Sequence, residues 1–158
     1  MGKEIERKFL LANEDWRENA QGRLFRQGYI INRKPGQTVR VRTCNNSGFL
    51  TIKGKSQGIT RLEFEYPIPL ADANILLDQL CEQPIVEKIR YLVDFKGFTW
   101  EIDEFHGDNA GLLVAEIELE AEDQPFPKPP WIGEEVSGDL RYFNSSLTRN
   151  PYKYWGKK

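Results

Sequence analysis

Thr38-Val39-Arg40-Val41-Arg42-Thr43-Cys44, the turn Asn45-Asn46-Ser47-Gly48 and Phe49-Leu50-Thr51-Ile52-Lys53-Gly54-Lys55 decide the fold between them. Side chains along a strand alternate between its two faces. Arg40 and Arg42 therefore share one face and Val39 and Val41 the other. After the hairpin turn, Thr51, Lys53 and Lys55 oppose Leu50 and Ile52. Each strand is cationic on one side and aliphatic on the other.

The pattern repeats outward in both directions. Residues 61–68 set Glu63 and Glu65 against Leu62, Phe64 and Tyr66, and residues 85–95 set Lys88 and Arg90 against Ile89 and Tyr91. Residues 98–105 set Glu101 and Asp103 against Trp100 and Ile102. Residues 112–120 set Glu116, Glu118 and Glu120 against Ala115, Ile117 and Leu119. At the start of the chain, Glu4, Glu6 and Lys8 alternate with Ile5, Arg7 and Phe9. Residues 23–32 read as an aromatic, β-branched strand, and residues 131–136 as a short last one. Leu70, Ala73, Leu76, Leu77 and Leu80 recur at helical spacing, which predicts one amphipathic helix over 69–81. Residues 13–20 suggest a short helix or turn. Ser137-Gly138-Asp139 caps a final helix over 140–149, and Lys157-Lys158 reads as a frayed tail.

About eight mostly antiparallel strands with two or three helices make an α+β, mainly β, chain that closes into a barrel. The 158 residues suit a single domain, 1–158. A solvated sheet face also carries alternating charges, but usually mixed with Ser, Thr and Gln. Here they come as like-sign pairs, which repel on an open sheet. The expected barrel is therefore inverted, with a charged lumen and an apolar exterior under helices.

Such a lumen suits one chemistry. Lys and Arg bind a polyanion, Arg reaching phosphate oxygens bidentately. Carboxylates hold Mg²⁺ or Mn²⁺, hard cations that bridge to phosphates, and the reaction expected is phosphoryl transfer to water. No glycine-rich phosphate loop is present. Net charge is −2, so no global field favours nucleic acid or membrane, and no 18-residue apolar run exists. Cys44 and Cys81 lack metal-type spacing and read as free thiols in a reducing, cytoplasmic setting. His106, the single histidine, falls at a strand end before a turn.

Glu4-Ile5-Glu6-Arg7-Lys8 resembles the ExExK signature of the CYTH, or triphosphate tunnel metalloenzyme, superfamily. Val39–Arg42, Leu50–Lys53, Leu62–Glu65, Val86–Arg90, Glu101–Asp103 and Glu116–Glu118 follow in the order found there, and 131–142 resembles the close of the short bacterial members. The resemblance implies an eight-stranded tunnel and Mg²⁺- or Mn²⁺-dependent hydrolysis of inorganic triphosphate to pyrophosphate and phosphate. An adenylyl cyclase or thiamine-triphosphatase on the same fold is the alternative, a non-catalytic polyphosphate-binding module a third. By position, Glu4, Glu6, Glu116 and Glu118 resemble the metal ligands. Lys8, Arg40, Arg42, Lys53, Lys88 and Arg90 resemble the triphosphate-binding set. Glu63, Glu65 and Asp103 resemble metal ligands, water activators or partners of the cations. Lys8 and Tyr29 match a Lys–Tyr pair that activates water, against a packed barrel tyrosine for Tyr29. The expected partner is a small triphosphate, and the oligomeric state stays open, a homodimer included.

Overall fold

The alternating segments form nine strands in a computed structural model that describes residues 2–18 and 20–156. They are β1 (Lys3–Leu11), β2 (Gln21–Ile30), β3 (Thr38–Cys44), β4 (Ser47–Lys53), β5 (Thr60–Ile68), β6 (Val86–Phe95), β7 (Phe98–Phe105), β8 (Leu113–Glu118) and β9 (Ile132–Glu135). The frayed-tail reading of Lys157-Lys158, and Asn19 within the first turn, lie outside the described residues.

Eight strands close a ring in the order β1-β5-β4-β3-β2-β6-β7-β8 and back to β1, every pairing antiparallel. The expected closed barrel is the fold observed. β1 completes it. Lys3, Glu4 and Ile5 pair with Leu62, Arg61 and Thr60 on β5, and Glu6 to Phe9 pair with Glu118 to Ala115 on β8. Farther along, Phe9 and Leu11 pair with Glu135 and Ile132 of β9, across a register shift. Because Phe9 is already bonded to β8, β9 occupies the opposite edge and replaces β5 where the barrel splays.

Helices roof the apolar exterior less than expected. One helix, α1 (Leu70–Gln79), lies outside, packing Ala73 and Leu77 on Val41 and the apolar faces of β2–β4. A larger cluster of Phe9, Trp100, Ile102, Ala115 and Ile117 is covered by irregular chain: Trp16 from the 3-10 turn Asp15–Arg17, and Phe126 and Trp131 after β8. Aromatic rings are cheap cover there, since each buries a large area without needing backbone partners. Beyond α1, parts of the outer faces of β4 and β5 stay open, with Ile52, Leu62, Phe64 and Tyr66 exposed.

The final helix is also broken. Leu140–Tyr142 forms a 3-10 turn, capped by Asp139 accepting from the Arg141 N–H, and α2 spans Asn144–Arg149. Phe143 between them is extended (φ −71°, ψ 133°). The break sends α2 to one end of the barrel, where Leu147 packs with Val86, Phe105, Leu112 and Val114.

α1 and the turn that follows it come close to the sheet because two residues beneath them lack side chains. A Cβ on Gly48 would lie 2.8 Å from the Ala73 Cβ, and one on Gly28 would lie 2.8 Å from the Cys81 Cβ. Gly48→Val should overpack this contact and destabilise by about 1–3 kcal/mol, lowering Tm by roughly 3–10 °C for a chain of this size. Calorimetry checks this; an unchanged Tm would show that α1 is not seated on Gly48.

Candidate active site

The inward faces enclose a cavity of about 200 Å³ whose lining is almost wholly polar. Ring order sorts its charges into two arcs. Adjacent strands β4, β3, β2 and β6 carry Lys53, Arg40, Arg42, Tyr29, Lys88 and Arg90. Adjacent strands β7, β8, β1 and β5 carry Glu101, Glu116, Glu118, Glu4, Glu6, Glu63 and Glu65. Lys8 on β1 and Arg61 on β5 are the cations of the acidic arc.

Ion pairs lock the two seams between the arcs. At the β4–β5 seam, Lys53 lies 3.1 Å from Glu4 and 3.4 Å from Glu63. Glu65 accepts from Arg40 (3.4 Å), Arg42 (3.1 Å) and the Thr51 hydroxyl (2.9 Å). At the β6–β7 seam, Arg90 donates to both oxygens of Asp103 at 2.8 and 2.9 Å and lies 3.3 Å from Glu101. Lys88 also reaches Asp103, at 2.9 Å. Between the seams, partners are fewer. The Lys8 ammonium sits 4.4 Å from the centroid of the Phe143 ring and pairs with no carboxylate among the described residues. The Nε–H groups of Arg40 and Arg42 are buried without a hydrogen-bond partner among the described residues.

Enclosure shifts these groups strongly. Burial, then Glu116 and Glu4, raise the Glu6 carboxyl well above its ordinary range. Burial opposes ionisation of Glu116 too, but Lys8, Arg90 and a hydrogen bond from Glu6 hold it well below that range. Burial and mutual proximity thus push the two carboxyls in opposite directions, as coupled carboxylates do. Glu118 is raised by burial and by Glu4, Glu63 and Glu101. On the basic arc, burial and then Arg40 and Arg90 lower Arg42 to about 10. Burial likewise lowers Lys88 to about 7, despite Asp103. Despite burial, Arg90 and Lys53 move the other way, raised by the carboxylates at the seams.

The acidic arc fits a divalent metal by chemistry. Its donors are all carboxylate oxygens, and the crowding that raises Glu6 and Glu118 is what a hard cation relieves. Among the described residues no three His, Cys, Asp or Glu groups form a ready-made cage.

Most residues singled out from the sequence meet here: Glu4, Glu6, Lys8, Tyr29, Arg40, Arg42, Lys53, Glu63, Glu65, Lys88, Arg90, Glu116 and Glu118 all line the cavity. Asp103 does not. It is fully buried behind the wall, with both oxygens engaged by Arg90 and Lys88, and Glu101 faces the cavity instead. Lys55 and Glu120 are exposed, as is His106, and both cysteines are free. Arg61 and Thr38 were missed, although each continues a period-two face, with Glu63 and Arg40 respectively. Phe143, Asn144 and Ser145 also line the cavity. They arrive on the C-terminal segment, which has no strand periodicity to announce them.

The CYTH domain family model matches residues 2–152. An inorganic triphosphatase of Acetivibrio thermocellus is 56% identical over 153 residues, covering 97% of each chain. One from Nitrosomonas europaea is 38% identical over 150 residues, covering 91% of this chain and 95% of the relative. The crystal structure of the inorganic triphosphatase NE1496 superposes with a TM-score of 0.67 at 35% identity, over 91% of this chain and 96% of that one.

Asp103 gives the site a stability signature. Burial opposes its charge, but Arg90 and then Lys88 outweigh burial and hold its pKa below the ordinary aspartate value. Its contribution is therefore complete above the unfolded pKa of ~3.9, and is lost as pH falls through the lower folded value. Asp103→Asn leaves two buried cations short of an anion and should cost about 3–5 kcal/mol at pH 7. Urea unfolding should show the gap between parent and variant narrowing below pH ~4. A gap that stays constant into acid would rule out this account.

Proposed function

This chain belongs to the CYTH domain family, and from that premise we propose that it hydrolyses inorganic triphosphate, releasing pyrophosphate and phosphate inside the barrel. The observation that carries the reading is the basic arc. Arg40, Arg42, Lys53, Lys88 and Arg90 converge on a small polar cavity, and two guanidinium N–H groups there are buried with no partner. A phosphate oxygen supplies what they lack, through charge-assisted hydrogen bonds. The relatives named as inorganic triphosphatases, at 56% and 38% identity over nearly the whole chain, support the same substrate.

In this reading the basic arc and Lys8 hold the triphosphate. Glu4, Glu6, Glu116 and Glu118 hold Mg²⁺ or Mn²⁺, with Glu63 as a further oxygen donor on the same arc. When bound, the metal offsets charge on the phosphate oxygens and orients them. Glu65 keeps Arg40 and Arg42 extended into the cavity, and Asp103 does so for Arg90 and Lys88. Water attacks the terminal phosphorus in line, its bond to the bridging oxygen breaks, pyrophosphate departs and a proton is released. Lys8 and Tyr29 are the groups proposed to act on that water and the phosphoryl oxygens. Lys8 carries no ion pair that would hold it away, and the Phe143 ring beside it is a weak competitor for its charge.

Purified protein offered tripolyphosphate, ATP and thiamine triphosphate with Mg²⁺ or Mn²⁺ should release phosphate and pyrophosphate fastest from tripolyphosphate, and a chelator should stop it. Cyclic AMP formed from ATP, or tight tripolyphosphate binding without turnover, would overturn the proposal. Glu4→Gln and Glu116→Gln should each lower metal-dependent turnover by about 10²-fold or more, with circular dichroism unchanged. Full activity in both would remove the metal assignment. Arg42→Ala, losing a charged hydrogen-bond donor, should raise KM about 10-fold or more.

A further inference from the structure

Behind the cavity wall runs a chain of hydrogen bonds that ends on Tyr29. Lys88 Nζ donates to Asn144 Oδ1 at 2.8 Å, Gln27 Nε2 donates to the same oxygen at 3.1 Å, and Gln27 Nε2 donates to the Tyr29 hydroxyl at 2.9 Å. Gln27 is completely buried, and its Oε1 has no partner among the described residues.

The direction of every bond in this chain follows from its first member. Lys88 Nζ also lies 2.9 Å from the Asp103 carboxylate, and paired there as an ammonium it can only donate. The Asn144 atom 2.8 Å away must then be its oxygen. The Gln27 atom facing that oxygen must be its amide nitrogen, and the same nitrogen faces Tyr29. Both amide hydrogens are thereby spent, one on Asn144 and one on the phenol oxygen. The phenol hydrogen cannot point back at Gln27. It turns into the cavity that Tyr29 lines. The unpartnered Gln27 Oε1 agrees: flipping the amide would satisfy that oxygen against Tyr29, yet would set two oxygens against each other at Asn144. A buried, half-satisfied amide is kept in the one orientation that leaves Tyr29 a donor.

We propose that Gln27 and Asn144 are positioning residues that hold the Tyr29 hydroxyl as a hydrogen-bond donor toward the anion in the lumen, an inference that rests on the triphosphatase reading. Tyr29 then serves the phosphoryl oxygens, where charge develops, and Lys8 is left as the group that meets the water. α2 thereby acts on Tyr29 through Asn144, by way of Gln27.

The test is a double-mutant cycle on tripolyphosphate hydrolysis with Mg²⁺, using Gln27→Glu, Gln27→Met, Tyr29→Phe and the Gln27→Glu/Tyr29→Phe pair. A carboxylate at 27 only accepts, so it draws the phenol hydrogen away from the lumen. Tyr29→Phe should lower kcat by about 10²-fold, and Gln27→Glu by at least about 10-fold, with KM within about threefold of the parent. The double variant should be no slower than Tyr29→Phe alone. Lowering the pH should narrow the deficit of Gln27→Glu, because a protonated carboxyl can donate again, while the deficit of Gln27→Met stays flat. Should Gln27→Glu not fold, Asn144 replaces it: Asn144→Asp keeps the acceptor and should retain activity, whereas Asn144→Leu should match Gln27→Met. Additive losses, a deficit confined to KM, or equal, pH-independent deficits in Gln27→Glu and Gln27→Met would overturn the inference. A parent that releases no phosphate from tripolyphosphate would instead overturn the underlying triphosphatase reading. An active parent with a fully active Tyr29→Phe would leave that reading intact and remove the role of Tyr29.

Discussion

Closing a sheet over its own charged face is the constraint on which this molecule depends. The buried lumen charges, Glu4, Lys8, Arg40, Lys88 and Glu116 among them, lose much of their hydration, and like charges brought together in a low-dielectric space repel strongly. The barrel meets this by sorting. Cations fill one run of adjacent strands, carboxylates the other, and the ion pairs concentrate at the two borders, around Glu65 and Lys53 on one side and Asp103 on the other. Within each arc, burial and like-charged neighbours still weigh on the groups, lowering Arg42 in one and raising Glu6 in the other. Structural need ends at the seams, and the interior between them is free to serve a ligand.

Period-two alternation made the barrel and its inward residues legible, because a strand's geometry ties sequence parity to side-chain direction. Arg40, Arg42, Lys53, Lys88, Arg90 and the four glutamates of β1 and β8 could be named from parity alone. The arcs could not be. They arise because β2 pairs with both β3 and β6, bringing Lys88 and Arg90 beside the arginines of β3, and because β1 joins β5 to β8. Those are long-range pairings with no local signal. The same limit explains Asp103. Parity sets it on the inward face with Glu101, but depth along the barrel, which parity does not encode, buries it behind Arg90.

The C-terminal segment was the least readable part. Its composition suits a helix over 140–149, and nothing local reports that Phe143 would adopt an extended backbone. That one residue divides the helix and lets Phe143 and Asn144 close one end of the cavity. Nor is the exterior roofed as amphipathicity alone suggests. Trp16, Phe126 and Trp131 cover β1, β7 and β8 from irregular chain, since a barrel exterior needs apolar area over it and not a particular secondary structure.

Glu65 gives the interior the character of an ion exchanger. Its carboxylate already serves Arg40, Arg42 and Thr51, so an anion entering the lumen does not find these two arginines vacant. It has to compete with a built-in counter-ion. A singly charged anion exchanges one carboxylate contact for another of similar strength and gains little. An anion carrying several charges on linked groups can engage the Arg40 and Arg42 Nε–H donors and the neighbouring lysines together, with the loss of freedom incurred once for the whole molecule. Charge count thereby becomes a filter, set by a glutamate that need never touch the reacting bond.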